Sequence, residues 1–240
     1  MILATDLDGT FLGGKRLHKQ QLYELVKDNY NIMLVFLTGR GLETVIPLFN
    51  DPVIPRPDFI ICDVGATIVN GHTLEPIEPL QQDIEKKWPG SMKVLDCLKD
   101  ISGLQYQEVP QQRRCSFFLN NESILTEIRS LVNQLGCDIV YSAGKYLDVL
   151  AKSINKGSSL TNLVNHLEVK ASDIMVAGDT MNDLAMFQCG FKGVIVGDAE
   201  EGLIESTKHI PHIYRTECPG AGGIIMGMEH FGFISRFSNK

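Results

Sequence analysis

The sequence of 240 residues lacks any hydrophobic run long enough to cross a membrane. Its longest uninterrupted apolar stretch, residues 32–37, is far shorter than the roughly 20 residues that a transmembrane helix needs. It also lacks a basic and apolar leader of the kind that directs secretion. We therefore expect a cytoplasmic protein with no membrane partner.

Positive charge is scarce as well. The chain has 22 lysines and arginines against 29 aspartates and glutamates, a net charge of −7. Proteins that hold nucleic acid neutralise its phosphates with an excess of basic residues. The charge balance therefore argues against a nucleic-acid partner.

The cysteines lack the spacing of a metal site or a redox motif. There are six, widely scattered and without a Cys-x-x-Cys pair, and most stand beside apolar residues. We predict buried free thiols in a reducing compartment. They are Cys62, Cys97, Cys115, Cys137, Cys189 and Cys218.

What the chain does have is a large apolar fraction, 44%, arranged in short stretches that alternate between strand-like and helix-like patterns. This alternation fills the first third and resumes from residue 172, which predicts a parallel sheet with crossover helices. The middle instead reads as helix, two strands, helix, two strands, an antiparallel α+β pattern. We predict an α/β core of residues 1–75 and 152–240, with an α+β cap domain inserted at residues 76–151.

The individual elements follow from the same patterns. Core strands are predicted at residues 2–5, 32–37, 59–62, 174–177, 193–196 and 212–214, and core helices near 19–29, 42–50, 183–188, 200–207 and 222–230. In the cap we predict helices over 80–100 and 123–135 and strands over 105–109, 114–119, 138–142 and 146–150.

Two aspartates, Asp6 and Asp8, follow the first predicted strand in the stretch ATDLDGTFLGG. Ligands of parallel sheets bind at the carboxyl ends of strands, so this is a suitable place for chemistry. The side chains of residues two apart can point to the same side, although each carboxylate disfavours the ionised form of the other. An ordinary polar turn, with the aspartates bonded to nearby amides, remains an equal alternative from these residues alone.

A phosphate-binding loop of the G-x-x-x-x-G-K type is a second interpretation of the same stretch. Gly9, Gly14 and Lys15 match its start, but Arg16 stands where that motif needs serine or threonine. The predicted downstream helix also begins too late. The sequence therefore disfavours nucleotide binding here.

Two further stretches are ambiguous when taken singly. The second strand ends in Thr38-Gly39-Arg40 ahead of a helix, where a hydroxyl and free amides suit an anion, but a helix cap is the stronger interpretation of Thr38. Lys156 precedes a helix that begins near Ser158. A lone lysine in such a position is normally a solvated surface charge.

The stretch IMVAGDTMNDLAMF supplies more oxygen ligands. Asp179, Asn182 and Asp183 follow an apolar strand at the start of a helix, where Asp and Asn also serve as simple caps. Together with Asp6 and Asp8 they form a set of hard oxygen ligands suited to Mg²⁺. A divalent cation would let neighbouring carboxylates remain ionised.

In chain order, D-x-D-G-T, a threonine after the second strand, a lysine and G-D-x-x-N-D resemble the motifs of the haloacid-dehalogenase-like phosphohydrolases. The stretches PDFIICDVGATI, YLDVLAKSINKGSSL, GVIVGDAEEGL and AGGIIMGMEHFGF are more narrowly similar to sucrose-phosphate phosphatases and their relatives. This resemblance implies a Rossmann-like core, a cap that recognises substrate, Mg²⁺ as cofactor and a sugar phosphate as the partner. We expect a monomer, although no residue pattern indicates the oligomeric state.

The same resemblance implies roles for individual residues. Asp6 is the expected nucleophile and Asp8 the acid and base. The expected metal ligands are Asp6, Asp8, Asp179 and Asp183, and Asp183 is also expected to orient the groups around the metal. The expected phosphate-binding residues are Thr38, Gly39, Asn182 and Lys156. Lys156 is also expected to neutralise charge on the nucleophile.

The sequence says less about sugar recognition. We expect Lys152, Ser153 and Asn155, where the chain returns from the cap to the core, to face the substrate, although a solvated hinge is equally consistent for the first two. Arg113 and Arg114 are expected at a solvated strand edge rather than on a second anionic group. No role is expected for the histidines.

The function expected from these residues is Mg²⁺-dependent hydrolysis of a disaccharide phosphate such as sucrose 6-phosphate, through an aspartyl-phosphate intermediate. Mannosylfructose phosphate and glycosylglycerate phosphates are alternative substrates. A phosphosugar mutase of the phosphomannomutase type and a sugar-phosphate sensor without turnover are alternative functions. A pure sensor has no need of a nucleophile and an acid at this spacing.

Overall fold

Two β-sheets organise residues 1–235, the part of the chain that the computed structural model describes. The strands are β1 (Ile2–Thr5), β2 (Met33–Leu37), β3 (Phe59–Cys62), β4 (Thr67–Asn70), β5 (Leu104–Tyr106), β6 (Arg114–Leu119), β7 (Cys137–Ser142), β8 (Tyr146–Ala151), β9 (Ile174–Gly178), β10 (Lys192–Gly197) and β11 (Ile213–Pro219).

The larger sheet has the strand order β11-β10-β9-β1-β2-β3-β4 and is parallel except for β4, which pairs antiparallel with β3. The smaller sheet, β5-β6-β8-β7, is antiparallel throughout and comes from the middle of the chain. The predicted α/β class, with an inserted α+β unit, is confirmed. Residues 76–151 are called the cap and the remainder the core.

The helices are α1 (Arg16–Asp28), α2 (Leu42–Val45), α3 (Leu80–Lys87), α4 (Ser91–Leu98), α5 (Leu125–Asn133), α6 (Lys156–His166), α7 (Leu184–Phe187), α8 (Glu201–Thr207) and α9 (Ala221–His230). Both faces of the large sheet are covered, because its central strands are apolar on both sides. In β1, Ile2 and Ala4 pack on the cluster that includes α6, α7 and α8, whereas Leu3 packs on the cluster that includes α1 and α9. The cap has an apolar cluster of its own.

The register of the three central strands brings their carboxyl ends together. Thr5 of β1 lies opposite Phe36 of β2 on one side and Ala177 of β9 on the other. The next residues in each strand are therefore neighbours at one edge of the sheet. These are Asp6, Thr38 and Asp179, within one or two positions of that register.

Several predicted elements need correction. The helix expected over 80–100 is broken into α3 and α4 at Pro89-Gly90, because proline disfavours helix in the residue before it and Gly90 has a φ of +100°. The helix expected over 42–50 continues beyond α2 only as a 3₁₀ turn. Strand β4 was not predicted, and β11 extends to Pro219, well beyond the expected 212–214.

All six cysteines are free thiols, as the sequence predicts. Cys62, Cys115 and Cys137 are buried and the others are partly exposed, so the expected burial is complete at only these three positions. Within residues 1–235, no helix combines the length and the apolar character needed to span a bilayer.

Candidate active site

A buried ammonium lies among acidic side chains at the carboxyl edge of the large sheet. The Nζ of Lys156 is 2.7 Å from Oδ1 of Asp6, 2.6 Å from Oδ1 of Asp183 and 2.6 Å from Oδ1 of Asn182. Lys156 has no exposed side-chain surface, so the solvated position that the residue alone suggested is wrong. The structure brings together here residues from both ends of the chain.

The position of Lys156 follows from the start of α6. Asn155 caps that helix: its side chain accepts from the amide of Ser158, and the Ser158 hydroxyl accepts from the amide of Asn155. Such a reciprocal capping box fixes where a helix begins. The side chain of the first helical residue, Lys156, is thereby directed under the end of β1.

The charges of this cluster act strongly on one another because the groups are buried. Burial would lower the pKa of Lys156, but Asp183 and Asp6 raise it above its usual value, so the ammonium stays protonated. Burial raises the pKa of Asp6; Lys156 offsets part of that effect, and Asp183 and Asp179 add to it. Asp6 therefore needs more positive charge nearby than one lysine provides.

Three carboxylates form a candidate metal site. Oxygen atoms of Asp6, Asp179 and Asp183 lie within 4.8 Å of one another. Burial, followed by the charge of Asp183, raises the pKa of Asp179 from 3.8 to about 6, although a hydrogen bond from the Thr10 hydroxyl lowers it. With the Lys156 ammonium the cluster has a formal charge of −2, which one divalent cation would neutralise.

The carboxylates of this cluster have different surroundings. Oδ2 of Asp183 accepts the amides of Asp179 and Thr180, and its Oδ1 accepts Lys156, so both of its oxygens are engaged. Asp179 lies against Gly9, where a Cβ would come within 2.1 Å of its Oδ2. Gly9 also has a φ of +82°, so glycine suits this turn both sterically and conformationally.

Asp8 faces the open side of the site and is paired with Arg40. The Arg40 Nε and Nη2 donate to the two carboxylate oxygens of Asp8 at 2.8 and 2.5 Å, a forked ion pair. The hydrogen bond that Arg40 donates to Asp8, together with the charge of Asp8, raises the pKa of Arg40 against the opposing effect of burial. The side chain of Asp8 is thus not in contact with Lys156.

The loop after β2 is held by backbone hydrogen bonds from the turn that follows β3. The Val64 amide donates to the carbonyl of Thr38, and the Asp63 amide donates to that of Arg40. The Arg40 amide donates to Oγ1 of Thr38 at 3.1 Å, which leaves the hydroxyl hydrogen of Thr38 free to donate to a ligand. This arrangement suits a phosphoryl oxygen better than a helix cap.

A cavity of about 410 Å³ opens beside these groups. Its core side includes Asp6, Asp8, Gly39, Arg40 and Asn182, and its cap side includes Gln107, Arg114, Ser116, Tyr146 and Asp148. A phosphate placed at Asp6 would therefore leave the rest of its ester in a space walled by the cap.

The residues expected to face the sugar lie elsewhere. Lys152 and Ser153 are exposed, and their amides bond to the Gly136 carbonyl and to Asp138. Asn155 is occupied as the cap of α6. None of these three is among the described residues that line the cavity.

Two other expectations are corrected. Arg114 is 4% exposed rather than at a solvated edge, whereas Arg113 remains near the surface and pairs with Glu85. The interpretation as a phosphate-binding loop was disfavoured partly because the following helix was expected to begin later than it does, at Arg16. The structure disfavours it on other grounds, because Gly14 packs against the Pro219 backbone and Lys15 is exposed. Gly14 therefore serves backbone packing, not phosphate binding.

Sequence reasoning missed several residues of the site. Thr10 and Arg40 lie inside the motifs that were found, so the motifs themselves were the signal. Ser116 and Asp148 were missed although Asp148 interrupts an apolar strand, a pattern that predicts a buried partner for the charge.

Comparison with known proteins identifies the family. Residues 1–232 match the family described as sucrose-6F-phosphate phosphohydrolase. The chain belongs to this family. It has the fold of haloacid-dehalogenase-like phosphatases, and it spans 59% of the length of a sucrose-phosphatase of Nicotiana tabacum that it matches.

Individual relatives differ in the sugars they are named for. The chain is 46% identical over 237 residues to glucosylglycerol-phosphate synthase of Pseudomonas anguilliseptica, covering 98% of this chain but only 31% of that protein. It is 30% identical to mannosylfructose-phosphate phosphatase of Agrobacterium fabrum over 98% of both. A sucrose-phosphatase of Synechocystis, solved with sucrose and phosphate, superposes with a TM-score of 0.86 at 25% identity over 97% of this chain and 98% of that one.

Proposed function

We propose that the chain hydrolyses the phosphate monoester of a disaccharide or glycosylated polyol through a phosphorylated Asp6. The observation that carries this proposal is the position of Asp6: its carboxylate contacts Lys156 within the acidic cluster and also borders the cavity between core and cap. The relatives named for glucosylglycerol phosphate and mannosylfructose phosphate support a glycosylated substrate.

The residues present fit a divalent cation, and we propose Mg²⁺. Asp6, Asp179 and the backbone carbonyl of Asp8 would hold it, with Asp183 orienting the surrounding groups through the amides and the ammonium that it binds. The formal charge of −2 and the raised pKa of Asp179 both favour a cation there. When bound, Mg²⁺ stabilises charge on the phosphoryl oxygens and keeps the neighbouring carboxylates ionised.

In the first step, a carboxylate oxygen of Asp6 attacks phosphorus, and the bond from phosphorus to the sugar oxygen breaks. Lys156 offsets negative charge on Asp6 and the phosphoryl group, while Thr38, the Gly39 amide and Asn182 hold the other oxygens. Asp8 supplies the proton that the leaving oxygen needs. Arg40 donates to both carboxylate oxygens of Asp8, so this contact must open before Asp8 can reach the leaving oxygen.

In the second step, water attacks the phosphorylated Asp6. Asp8, now unprotonated, accepts a proton from that water, and the bond between phosphorus and Asp6 breaks to release inorganic phosphate. The free Asp6 carboxylate and a protonated Asp8 are restored, ready for the next substrate. The phosphorylated Asp6 thus divides one difficult displacement into two easier ones, with Asp8 as the acid in the first and the base in the second.

The substrate is tested by phosphate release from purified protein. The panel is glucosylglycerol phosphate, mannosylfructose phosphate, sucrose 6-phosphate and glucose 6-phosphate, each with Mg²⁺ and with a chelator. We expect the highest kcat/KM on one of the glycosylated esters, beginning with glucosylglycerol phosphate because of the 46% identical relative. Turnover without phosphate release would indicate a mutase, and equal rates on all four esters would contradict the substrate class.

The two aspartates of the first motif should differ in their effects. Asp6→Asn should reduce kcat by about 10⁴-fold or more because an amide is a poor nucleophile. Asp8→Asn should reduce it by roughly 10² to 10⁴-fold, the usual contribution of acid–base assistance. Asp198→Asn, at an exposed carboxylate, is the control. Near-normal turnover of Asp6→Asn would refute the mechanism.

A further inference from the structure

A cap residue holds the core loop that is expected to bind phosphate. Nη1 of Arg114, at the start of β6, donates to the carbonyl oxygen of Gly39 at 2.6 Å, across a separation of 75 residues. The Thr38 and Arg40 carbonyls on either side are bonded to core amides. The Gly39 carbonyl, in the middle of this three-residue loop, thus accepts its hydrogen bond from the cap.

The bond to Gly39 bears directly on Thr38. The Gly39 carbonyl and the Arg40 amide belong to one peptide plane, and planar peptides rotate as a unit. That Arg40 amide donates to Oγ1 of Thr38. Fixing the carbonyl therefore fixes the direction in which the Thr38 hydroxyl can donate.

Arg114 is itself rigidly placed. Nη1 of Arg114 also lies 3.2 Å from Oδ1 of Asp148, and that oxygen accepts the Ser116 hydroxyl at 2.5 Å. Nη2 of Arg114 lies 3.4 Å from Oδ1 of Asp63 in the core. The guanidinium is planar, so two acceptors, the Gly39 carbonyl and Oδ1 of Asp148, together with the ion pair to Asp63 orient it. Arg114 is therefore shared between a cap carboxylate and a core carboxylate.

The backbones of the two units are also in close contact at this point. A Cβ on Gly41, just after the loop, would lie 2.1 Å from the carbonyl oxygen of Pro110 in the cap. A side chain larger than hydrogen cannot be accommodated there without movement of backbone. The cap segment ahead of β6 is thus seated directly on the loop.

We propose that Arg114 is a positioning residue for phosphate binding: by holding the Gly39 carbonyl, it orients the Gly39–Arg40 peptide and the Thr38 hydroxyl for the phosphoryl group. The proposal rests on the proposed function only in taking phosphate as the ligand of this loop. If Arg114 has this role, the cap is needed to bind the phosphate as well as to recognise the sugar.

The test compares Arg114→Met and Arg114→Lys with Arg113→Met. The control removes the same charged group from the adjacent position, where the arginine pairs with Glu85 inside the cap. Affinity for inorganic phosphate is measured by calorimetric titration with Mg²⁺ present. Turnover is measured on the best sugar phosphate and on p-nitrophenyl phosphate, which has no sugar.

We expect Arg114→Met to weaken phosphate binding by roughly ten- to a hundredfold, the value of a hydrogen bond to a charged group, and to lower kcat/KM on both esters by similar factors. Arg114→Lys keeps the positive charge between the buried carboxylates, so part of the phosphate affinity and of kcat/KM should be recovered. This variant decides the question if Arg114→Met does not fold. Arg113→Met should stay within roughly twofold of wild type, as exposed ion pairs contribute little.

Other outcomes overturn the inference. Phosphate affinity of Arg114→Met equal to that of Arg113→Met would show that the loop does not need Arg114. A loss confined to the sugar phosphate, with p-nitrophenyl phosphate unaffected, would assign Arg114 to sugar recognition instead. If the wild-type chain binds phosphate but hydrolyses no ester, the proposed function fails while the phosphate titrations still decide the role of Arg114.

Discussion

Asp179 is held close to other negative charges, and the fold tolerates this at some loss of stability. A group that is easier to protonate in the folded chain than in the unfolded chain destabilises the fold once it is ionised. Burial and Asp183 raise the pKa of Asp179 from 3.8 to about 6. At neutral pH, the metal-free protein therefore carries a carboxylate that it would hold more easily as the neutral acid.

Removing this charge should stabilise the metal-free protein while abolishing activity. We expect Asp179→Asn to raise the free energy of unfolding at pH 7.5 in a chelator by about 1 to 3 kcal/mol, the order expected when a carboxyl pKa of 3.8 becomes about 6. Asparagine can still accept the hydrogen bond from Thr10. Urea unfolding of both proteins measures the difference.

The pH dependence distinguishes relief of charge repulsion from a change in packing. Below pH 3.8 Asp179 is protonated in both states, and as pH rises toward 6 the unfolded chain loses its proton first, so the wild-type protein loses stability across this window. The advantage of Asp179→Asn should therefore be small near pH 4 and complete above pH 6. Mg²⁺ should stabilise the wild type and the Asp198→Asn control but not Asp179→Asn. An advantage that is independent of pH would contradict the explanation.

At the scale of elements, the turn that follows β1 packs against the start of α9 through close contact of the two backbones. The α9 helix begins after Gly220, whose φ is +57°, and a Cβ there would lie 2.1 Å from the carbonyl carbon of Gly13. The Ala221 amide donates to the Gly13 carbonyl at 3.2 Å. The glycines of this contact allow the turn after Asp6 and Asp8 to rest on the start of α9.

Alanine substitutions compare Gly220 with a second glycine of positive φ whose Cβ would have no close neighbour. Gly136→Ala, with φ of +72° and nothing within 4 Å of the new Cβ, should cost about 1 to 2 kcal/mol. Gly220→Ala adds a collision with backbone and should cost more than about 3 kcal/mol. Equilibrium urea unfolding compares them. Equal losses at the two positions would show that the packing of Gly13 on Gly220 is unimportant.

Strands with a strong local signal were predictable in both the core and the cap. In β3 and β6 the predicted and observed limits coincide, Phe59–Cys62 and Arg114–Leu119, since apolar stretches end there at polar or turn residues. The single helix predicted over 80–100 was wrong because its apolar periodicity continues across Pro89 and Gly90, whose backbone preferences override it. Strand β4 lies at the sheet edge, where four residues between Gly65 and Gly71 give little pattern to detect.

At the scale of the whole molecule, the packing of the cap on the core determines contacts that no local sequence pattern predicts. The motif residues Asp6, Lys156 and Asp183 were expected together from their order in the chain and their resemblance to a known family. The burial of Arg114 against Gly39 depends on how the cap is seated on the core, which no periodicity reports. The position of Lys152 and Ser153 outside the cavity has the same origin, because only the path of the returning chain decides which surface they face.

A second polar contact joins the cap to the core on the far side of the cavity. Oε1 of Glu200, just before α8, accepts the amide of Ala143 in the β7–β8 turn at 3.2 Å. Oε2 of the same residue accepts the amide of Met181, next to Asn182, at 2.7 Å. One carboxylate thus fixes the cap turn and the loop of the acidic cluster relative to each other.

We expect Glu200→Ala to raise KM for the sugar phosphate by roughly three- to thirtyfold, since two hydrogen bonds to a charged acceptor are lost and the cap turn that borders the cavity is released. Glu201→Ala, at the exposed neighbouring residue, should leave KM unchanged. Hydrogen exchange provides a direct structural measurement, because the Ala143 amide should lose protection in Glu200→Ala and keep it in Glu201→Ala. Unchanged protection of Ala143, together with an unchanged KM, would show that Glu200 does not hold the cap turn in place.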